Sequence, residues 1–363
     1  MKTKTEKRKW VAPNVRMTEA LRLRLADLRP GQALGTEVAL AIEFGVSRMT
    51  ARKAVETLVS EGLLERRAGV GVFLREADKD PHRFLFLAGN LLWDSVIRVA
   101  MAFRQEAGLA GYEVEMRDAE GSASKLKAEL EALPKSGVSG AVVFSIHDPG
   151  LTALMADVVA KGFPLVVIDE AFEPKTGVTG VVSDNALGGR LAAERLIHAG
   201  RRELAFIGDY AADTVRARWA GFRQIAEAKG LKPTRLELRT DDRLGDWTHI
   251  IHDATRRLLR RKVRPTGIFC SCDAVARHVM RALEAHGVEV PRDISLIGFD
   301  DDPIAEWTKP ALTTVRQDFA GLGAAAAKAL IARCAEKSAS PGTISVPVSF
   351  VVRDTVERGR GKV

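Results

Sequence analysis

The sequence predicts two structural parts, a small α+β head at the N-terminus and a larger α/β body of two lobes, each built on a parallel sheet. Hydrophobic spacing is typical of helices up to the polar joint at residues 78–82, whereas short continuous apolar runs follow it. About nine such runs alternate with helical stretches, which is the pattern of parallel sheets covered by helices. Nine strands exceed one doubly wound sheet of ordinary size, so we expect the body of this 363-residue chain to form two lobes.

Composition excludes several classes of protein. Hydrophobic residues make up 46% of the chain and charged residues 28%, which is typical of a folded globular protein. No apolar stretch approaches the roughly 20 residues of a membrane span, and no apolar leader segment follows the lysine-rich N-terminus. Three cysteines in a chain of this length argue against a disulfide framework. We therefore expect a cytoplasmic protein.

The net charge of +8 is concentrated near the N-terminus. Residues 1–80 hold 16 Lys and Arg against 11 Asp and Glu, whereas the other 283 residues are nearly balanced. A positive field on one small segment suits phosphate backbones or acidic surfaces, although a solvated basic face would give the same count. The residue pattern has to decide between these alternatives.

The residue pattern of the head predicts a winged helix-turn-helix. A first helix is expected over Met17–Leu28, and Thr36 is the expected N-cap of a short second helix. Ser47 is the expected N-cap of a third helix that ends near Glu61, and the turn before it completes a helix-turn-helix. Leu63–Leu74 then contains two apolar strands around a basic turn with two glycines, which indicates a hairpin wing.

A winged helix-turn-helix fits DNA because its second helix fills the major groove while the wing approaches the backbone or the minor groove. Arginine can bind guanine through two hydrogen bonds, and glycines in the wing let the main chain approach closely. A winged helix that contacts another protein is the alternative. The residues that we expect at the DNA are Thr36, Ser47, Arg48, Thr50, Arg52, Lys53, Arg66, Arg67, Gly69 and Gly71.

The segment Phe44–Leu74 resembles the DNA-binding domain of the GntR family of bacterial transcription regulators. It matches nearly every position of the family pattern F-x-V-S-R-x-T-V-R-x-A-L followed by E-G-L-L-x-R-x-x-G-x-G-T-F-V. Two positions depart from the pattern. Val38, which we expect to face inward with Ile42, stands where the family usually has a DNA-contacting arginine, and Val72 replaces the threonine of the wing. The resemblance therefore implies DNA binding but not an operator sequence.

In open α/β sheets, ligands bind beyond the carboxyl ends of the strands, so polar residues at strand ends are candidate ligand contacts. Aromatic faces combined with fixed hydrogen-bonding groups suit a small, partly apolar ligand such as a sugar. The predicted strands are Phe84–Ala88, Tyr112–Arg117, Gly140–Ser145, Pro164–Asp169, Gly180–Ser183, Leu204–Gly208, Leu236–Arg239, Gly267–Ser271 and Ile294–Phe299. The candidate contacts are Asn90, Trp93, Ser145, His147, Asp169, Asp209, Arg218, Trp247, Cys272, Asp273 and Asp300–Asp302.

Residues 83–358 are similar to the effector domain of LacI-family repressors. The similarity implies two Rossmann-like lobes, like those of periplasmic sugar-binding proteins, with the chain crossing between them three times and the ligand in the cleft. Heads of GntR type on such bodies resemble the arabinose-repressor subgroup. The motifs that carry the similarity are Ser183–Gly189, Leu196–Gly208, Arg216–Phe222, Pro291–Asp301, Pro310–Val315 and Pro347–Thr355.

The similarity to LacI-family repressors also implies six ligand contacts. An arginine and several carboxylates can bracket neighbouring hydroxyl groups, with arginine donating and aspartate accepting hydrogen bonds. Cys272 departs from the family, which usually has asparagine there, so the ligand is expected to be less hydroxylated than a hexose or differently oriented. The implied contacts are Asp169, Arg218, Trp247, Asp273, Asp300 and Gln317.

These patterns together predict a domain plan for the whole chain. We expect a head over residues 1–77, a linker over 78–83, a body over 84–358 and a tail over 359–363. The first lobe of the body should combine residues 84–183 with 317–338, and the second lobe residues 184–316 with 339–358.

We interpret the chain as a ligand-responsive transcription repressor that binds a palindromic operator as a homodimer. An α/β enzyme that uses the head for localisation is the competing interpretation, but no nucleophile–base pair or nucleotide loop supports it. A transport-binding protein would require export. No cofactor is expected, and neither the pair Cys270 and Cys272 nor the run Asp300–Asp302 has the pattern of a metal site.

Overall fold

The chain divides into two compact units, Met1–Lys79 and Asp80–Val363, which are the predicted head and body. The boundary lies inside the linker predicted at residues 78–83. None of the helices in the described parts of the chain is long and apolar enough to cross a membrane. The computed structural model describes residues 12–25, 28, 31–61, 63–67, 69–74, 80–209, 212–238, 247–335 and 341–357.

In its described residues the head contains three helices and a three-stranded sheet. Strand β3 lies between β1 and β2 and pairs with both in antiparallel fashion. The helix-turn-helix and the wing hairpin are present as predicted, whereas β1 was not predicted because it has only three residues. The elements are α1 (Pro13–Leu25), β1 (Ala33–Gly35), α2 (Glu37–Glu43), α3 (Arg48–Ser60), β2 (Leu64–Arg67) and β3 (Gly71–Leu74).

The core of the head is formed by one side of each helix and by the inner residues of the wing. Leu21, Leu40, Leu58 and other apolar side chains are almost fully buried there. The prediction that Val38 and Ile42 face inward is wrong, since they are 45% and 77% exposed. Helix α2 has only two turns, and the side that carries Leu40 and its neighbour Ala41 is the one that packs.

The first lobe of the body is a six-stranded sheet with helices on both faces. The strand order is β14-β8-β7-β6-β4-β5, and all five pairings are parallel. The strands are β4 (Asp80–Ala88), β5 (Glu113–Asp118), β6 (Val138–Phe144), β7 (Leu165–Ile168), β8 (Thr179–Ser183) and β14 (Gly342–Val346), and the helices are α4 (Asp94–Leu109), α5 (Ala123–Ala132), α6 (Pro149–Ala160) and α12 (Phe319–Ala335).

The second lobe repeats this architecture with one antiparallel edge strand. Its strand order is β10-β9-β11-β12-β13-β15, with β15 antiparallel to β13. The strands are β9 (Leu204–Gly208), β10 (Thr234–Glu237), β11 (Gly267–Cys270), β12 (Ser295–Asp300), β13 (Thr313–Gln317) and β15 (Val348–Val351), and the helices are α7 (Asn185–His198), α8 (Asp213–Ala228), α9 (Thr248–Leu259), α10 (Asp273–Ala285) and α11 (Ile304–Trp307).

The chain crosses between the lobes three times, at residues 183–185, 317–319 and 346–348. The structure corrects the predicted lobe boundary near the C-terminus. Residues 339–358 were assigned as a whole to the second lobe, but β14 pairs along its full length with β8 of the first lobe. The third crossing thus falls between two adjacent short strands, where the apolar pattern has no break that would reveal it.

Arg239, the last residue of the predicted strand Leu236–Arg239, lies outside the described residues.

Each sheet is buried on both faces by alternating side chains. In β4, Phe84 and Phe86 pack towards α4 and α12, whereas Leu85 and Leu87 pack towards α5 and α6. The sheet of the second lobe is covered in the same way, by α7 and α8 on one face and by α9 and α10 on the other. Continuous apolar runs are therefore the correct signature of these strands.

Helices α7 and α8 approach so closely that glycine is required at their contact. A Cβ atom on Gly221 would overlap the carbonyl oxygen of Ala186, and one on Gly189 would overlap the carbonyl oxygen of Arg218. This contact fixes the position of Arg218, a predicted ligand residue, relative to the start of α7.

We predict that Gly221→Ala destabilises the body by about 1–3 kcal/mol, because the added methyl group forces the two helices apart. The matched control is Gly108→Ala in α4, where a Cβ meets nothing within 4 Å. That change should be neutral or stabilise the helix by up to about 1 kcal/mol. Urea unfolding of both variants tests this, and equal midpoints would contradict the close approach of α7 and α8.

Candidate functional site

The first candidate site is the exposed surface of the recognition helix α3. Ser47 caps this helix, since its Oγ accepts a hydrogen bond from the Thr50 amide at 3.1 Å. Thr36 caps α2 in the same way through the Ala39 amide. Both predicted caps therefore orient the helix starts, and their hydroxyl groups are engaged in capping.

Three basic side chains of α3 are exposed, namely Arg48, Arg52 and Lys53. Arg52 Nε donates to Glu56 Oε1 at 3.0 Å, one turn along the same helix. Arg48 and Lys53 make no ion pair with the described residues. Among the described residues, α3 thus presents two cations without an ion-pair partner and one arginine that is paired with a carboxylate.

An ion pair between β2 and α2 attaches the wing to the helices. Arg66 of β2 contacts Glu37 at the start of α2, with Nη2 at 2.8 Å from Oε1, and lies 3.6 Å from Glu56. Arg67 stacks on the Phe73 ring at 4.4 Å. Arg66 therefore holds the wing against α2, whereas Arg67 lies beside the turn of the hairpin and contacts Glu65 and Phe73 of the wing itself.

The two wing glycines have different roles. Gly69 has a φ of 74° and nothing within 4 Å of a Cβ position, so the main chain at the turn is open to close approach. Gly71 has a φ of 143°, and a Cβ there would lie 2.9 Å from the Gly35 carbonyl oxygen. Gly71 is therefore required by the packing of β3 against β1, which is a structural role that the sequence did not indicate.

The second candidate site is a closed ring of five polar residues where the chain crosses between the lobes, here called the hinge ring. Ser183 Oγ donates to Gln317 Oε1 at 2.6 Å, and Gln317 Nε2 donates to Asp300 Oδ1 at 2.7 Å. Asp300 lies 3.8 Å from Arg218 Nη1. Arg218 Nε donates to Asn185 Oδ1 at 2.8 Å, and Asn185 Nδ2 returns to the Ser183 carbonyl oxygen at 3.0 Å.

The hinge ring brings together three of the predicted ligand residues, Arg218, Asp300 and Gln317. Ser183 belongs to the first lobe and the other four residues to the second, so the ring joins the lobes. Arg218 also donates to the Ser271 carbonyl oxygen and lies 3.6 Å above the Phe299 ring. Burial raises the pKa of Asp300 well above its usual value, while Arg218 and Gln317 oppose that shift.

Asp273 does not line the site in this conformation. It is fully buried, and its two carboxylate oxygens accept hydrogen bonds from Thr314 Oγ1 at 2.6 Å and from the Asp302 amide at 2.9 Å. Burial raises the pKa of Asp273 to about 7. Asp273 therefore holds the loop that follows Asp300, the last residue of β12, and does not present its carboxylate to a ligand.

The first lobe contributes a polar layer at the carboxyl ends of β6 and β7. His147 Nε2 lies 3.0 Å from Asp169 Oδ2, and both residues have positive φ angles, 55° and 67°. Beneath them Ser145 Oγ donates to the buried Glu170 carboxylate at 2.5 Å and accepts the His147 amide at 3.0 Å. Thr152 also donates to Glu170. His147 thus fixes the orientation of the Asp169 carboxylate.

Four other predicted ligand residues belong neither to the hinge ring nor to the polar layer of the first lobe. Asn90 is 2% exposed, and its side chain accepts the Leu92 amide at 2.8 Å, so it shapes the turn after β4. Trp93 and Trp247 are partly buried against the cores of the first and second lobe, respectively.

Cys272 is the residue before α10, and burial raises the pKa of its thiol to about 12, with Asp300 adding to the shift. It is therefore a neutral thiol at physiological pH.

Sequence reasoning missed three residues of these sites. Asn185 and Ser183 fall within one of the family motifs but are not among the predicted ligand contacts, and neither is Glu170. The separations in sequence explain this: Ser183 and Gln317 lie 134 residues apart, and Asn185 and Arg218 lie 33 apart. The aspartate and arginine positions carry a signal of their own at the ends of strands and helices, whereas Gln317 is implied by the family similarity alone.

The fold and the two sites define a class of protein, a transcription regulator with a winged-helix head and a two-lobed effector body. The profile of "Bacterial regulatory proteins, gntR family" matches residues 16–74, and that of the "Periplasmic binding protein-like domain" matches residues 193–356. The repressor PurR of Yersinia pestis (strain Pestoides F) is 33% identical over 253 residues, which are 69% of this chain and 72% of PurR. PurR of Pasteurella multocida (strain Pm70) is 29% identical over 258 residues, 68% of this chain and 73% of that protein.

Solved structures agree with these sequence matches. The Lac repressor dimer bound to operator and the anti-inducer ONPF is 25% identical, with a TM-score of 0.66 over 77% of this chain and 96% of that one. A periplasmic binding protein/LacI transcriptional regulator of Alkaliphilus metalliredigens QYMF, complexed with D-xylulofuranose, is 24% identical, with a TM-score of 0.64 over 76% of this chain and 100% of that one.

The chain therefore belongs to the family of LacI-type transcriptional repressors that includes PurR, and it carries a DNA-binding head of gntR type. It is a DNA-binding repressor controlled by a small ligand. The predicted fold class, a two-lobed periplasmic-binding-protein-like body preceded by a winged helix-turn-helix, is confirmed.

We predict that Asp273 makes the stability of the body depend on pH. Its pKa of about 7 in the folded protein exceeds its usual value of 3.8, so the folded state holds this proton more tightly than the unfolded state. The free energy of unfolding should therefore fall as the pH rises from about 4 to about 7.

Thermal melting between pH 5 and pH 8 tests this dependence. The fall in melting temperature over that interval should be smaller in Asp273→Asn than in the wild type. The control Asp253→Asn changes an exposed carboxyl whose pKa is lowered by its hydrogen bond to Arg256, so its slope should match that of the wild type. An unchanged slope in Asp273→Asn would contradict the protonated buried carboxyl.

Proposed function

We propose that this repressor binds a palindromic operator as a homodimer in the cytoplasm, and that a sugar or sugar derivative held at the hinge ring controls its affinity for that operator. The observation that carries the proposal is the hinge ring itself. It presents a buried arginine, a carboxylate and an amide at the point where any relative rotation of the lobes has to be accommodated.

The chemistry of the cleft suits a polyhydroxylated ligand. Asp169 and Asp300 offer carboxylate oxygens to hydroxyl donors, and Arg218 offers N–H groups to hydroxyl oxygens. Trp93 and Trp247 can pack their faces on the apolar side of a sugar ring. The similarity to a regulator crystallised with D-xylulofuranose supports this choice. The thiol of Cys272 is a weak hydrogen-bonding group, which favours a ligand with fewer hydroxyl groups than a hexose.

A homodimer is supported by an apolar surface on the second lobe. Trp307 of α11 is 74% exposed, which is unusual for such a large apolar side chain. It lines a groove of about 440 Å³ together with the apolar residues Met280, Val288, Val290, Ile304 and Pro310 and with six polar or charged residues, among them Arg277, Arg281 and Glu284. We assign this surface to a second copy of the chain, as the similar Lac repressor structure is a dimer. Two heads then face two half-sites, which explains a palindromic operator.

The ligand acts by linkage. A ligand that binds one arrangement of the lobes more tightly shifts the population towards that arrangement, and the affinity for the operator changes by the same coupling free energy. No enzymatic step is needed, and an assay in which a bound ligand is consumed would support the competing interpretation of an α/β enzyme.

Two experiments test the proposed function. Selection of operators from random-sequence double-stranded DNA should yield a two-fold symmetric consensus, and recovery of unrelated sequences would contradict sequence-specific binding. Thermal melting against monosaccharides, disaccharides, uronates and polyols should reveal the effector class, since a ligand at 100 times its Kd stabilises the protein by about 2.7 kcal/mol. A panel without any shift would contradict the sugar assignment and leave the DNA-binding proposal to the first experiment.

We predict that Arg52→Ala weakens binding to the selected operator by about 1–3 kcal/mol and relaxes base preference at one position per half-site, because a bidentate base contact is lost. Fluorescence anisotropy with operator variants at fixed salt measures both effects. Arg104→Ala, which removes an exposed arginine of α4 in the body, is the control and should bind as the wild type does. Weaker binding with unchanged base preference would reassign Arg52 to a phosphate.

We predict that Arg218→Lys lowers the affinity for the effector identified in the melting panel by about 10-fold or more, because a charge-assisted hydrogen bond contributes about 1.5–3 kcal/mol. Lysine keeps the charge but lacks the Nε donor that holds Asn185. The affinity for the operator should not change. Arg216→Lys is the matched control, since Arg216 lies on α8 with a half-exposed side chain. Wild-type effector affinity in Arg218→Lys would remove Arg218 from the site.

A further inference from the structure

Met49 is an apolar residue on the face of the recognition helix α3 that points away from the core of the head. Met49, Lys53 and Glu56 follow one another at i, i+4 and i+7, and in a helix of 3.6 residues per turn they form one ridge. That ridge lies opposite the side of α3 that is buried in the head, whose members are Ala51, Ala54, Val55 and Leu58. Met49 is 62% exposed and is not part of the core of the head.

Met49 occupies the part of α3 that reaches furthest into a groove. It is the second residue of the helix, and the N-terminal residues of a recognition helix are the ones that contact base edges. Its neighbours Arg48 and Arg52 are exposed cations that draw this turn towards phosphates and guanines. When Arg48 and Arg52 bind DNA, Met49 therefore lies in the polar major groove although its own side chain is apolar.

The edges of the base pairs offer one apolar partner in the major groove, the C5-methyl group of thymine. Methionine is suited to this partner because its flexible, polarizable side chain adapts to an irregular surface. Hydrogen-bond donors and acceptors, which dominate the rest of the groove, would be left unpaired against a thioether.

We propose that Met49 is a specificity-determining residue that recognises the C5-methyl group of a thymine in each operator half-site. The proposal rests on the proposed function, since it names the base feature that the DNA-binding head selects. It also predicts that the position facing Met49 is a T·A pair in the selected consensus.

The test is a cycle that changes the protein and the DNA separately. In the selected operator, each thymine is replaced in turn by deoxyuridine, which removes only the C5-methyl group, and the Kd is measured by fluorescence anisotropy at fixed salt. At one thymine per half-site the replacement should weaken wild-type binding about fourfold, the factor expected from the loss of one buried methyl group. In Met49→Ala the same replacement should have no effect.

Two variants of the same head serve as comparisons. Leu23→Ala changes an apolar residue of α1 that is 77% exposed, and it should keep the full sensitivity to deoxyuridine. Val38→Ala changes the 45% exposed valine at the start of α2, and it should keep that sensitivity as well. Melting curves of the three alanine variants check that the head remains folded.

The outcomes separate the two proposals. Failure to select any operator would overturn the proposed function. An operator that is bound equally well with deoxyuridine at every position would overturn only the role of Met49. A penalty that persists in Met49→Ala, or one that disappears in Val38→Ala instead, would also overturn it.

Discussion

The hinge ring is the constraint on which the functional account depends. Its five side chains come from α7, α8, β12 and β13 of the second lobe and from β8 of the first lobe, and four of them are almost completely buried. A buried arginine needs hydrogen-bond acceptors and a counter-charge, and here Asn185 and Ser271 accept hydrogen bonds from Arg218 while the Asp300 carboxylate lies 3.8 Å away. A ligand that competes for these partners therefore changes the balance between the lobes.

The packing of the second lobe serves the same site. Gly189 and Gly221 let α7 and α8 touch through their backbones, which brings Asn185 at the start of α7 within reach of Arg218 on α8. Asp273, buried at the start of α10, holds the loop that follows Asp300 through the Asp302 amide. The first lobe has its own fixed element in the pair His147 and Asp169. Each lobe thus presents a polar surface whose side chains are held by hydrogen bonds, and the described crossings of the chain join the two lobes.

The sequence predicts those features that depend on local pattern. The caps Ser47 and Thr36, the hairpin wing and the apolar runs of the parallel strands follow from residue types a few positions apart, and the structure has them. Features that depend on distant partners were not predictable in the same way. The membership of β14 in the first lobe, the exposure of Ile42 and the burial of Asp273 are each decided by what packs against them. Strand-end position and family similarity indicate Arg218 and Asp300, and family similarity indicates Gln317, but the hydrogen bonds and the ion pair that join them into a ring become visible only in the fold.

The most direct test of this account is the coupling between effector and operator in Ser183→Ala. This variant removes the hydroxyl group that joins the first lobe to Gln317 and leaves the contacts of Arg218 in place. The operator Kd would be measured with and without saturating effector in both proteins. We expect the effector to change the Kd by about 5–150-fold in the wild type and by a much smaller factor in Ser183→Ala, which should still bind the effector. An equal factor in both proteins would contradict the claim that the hinge ring transmits the signal.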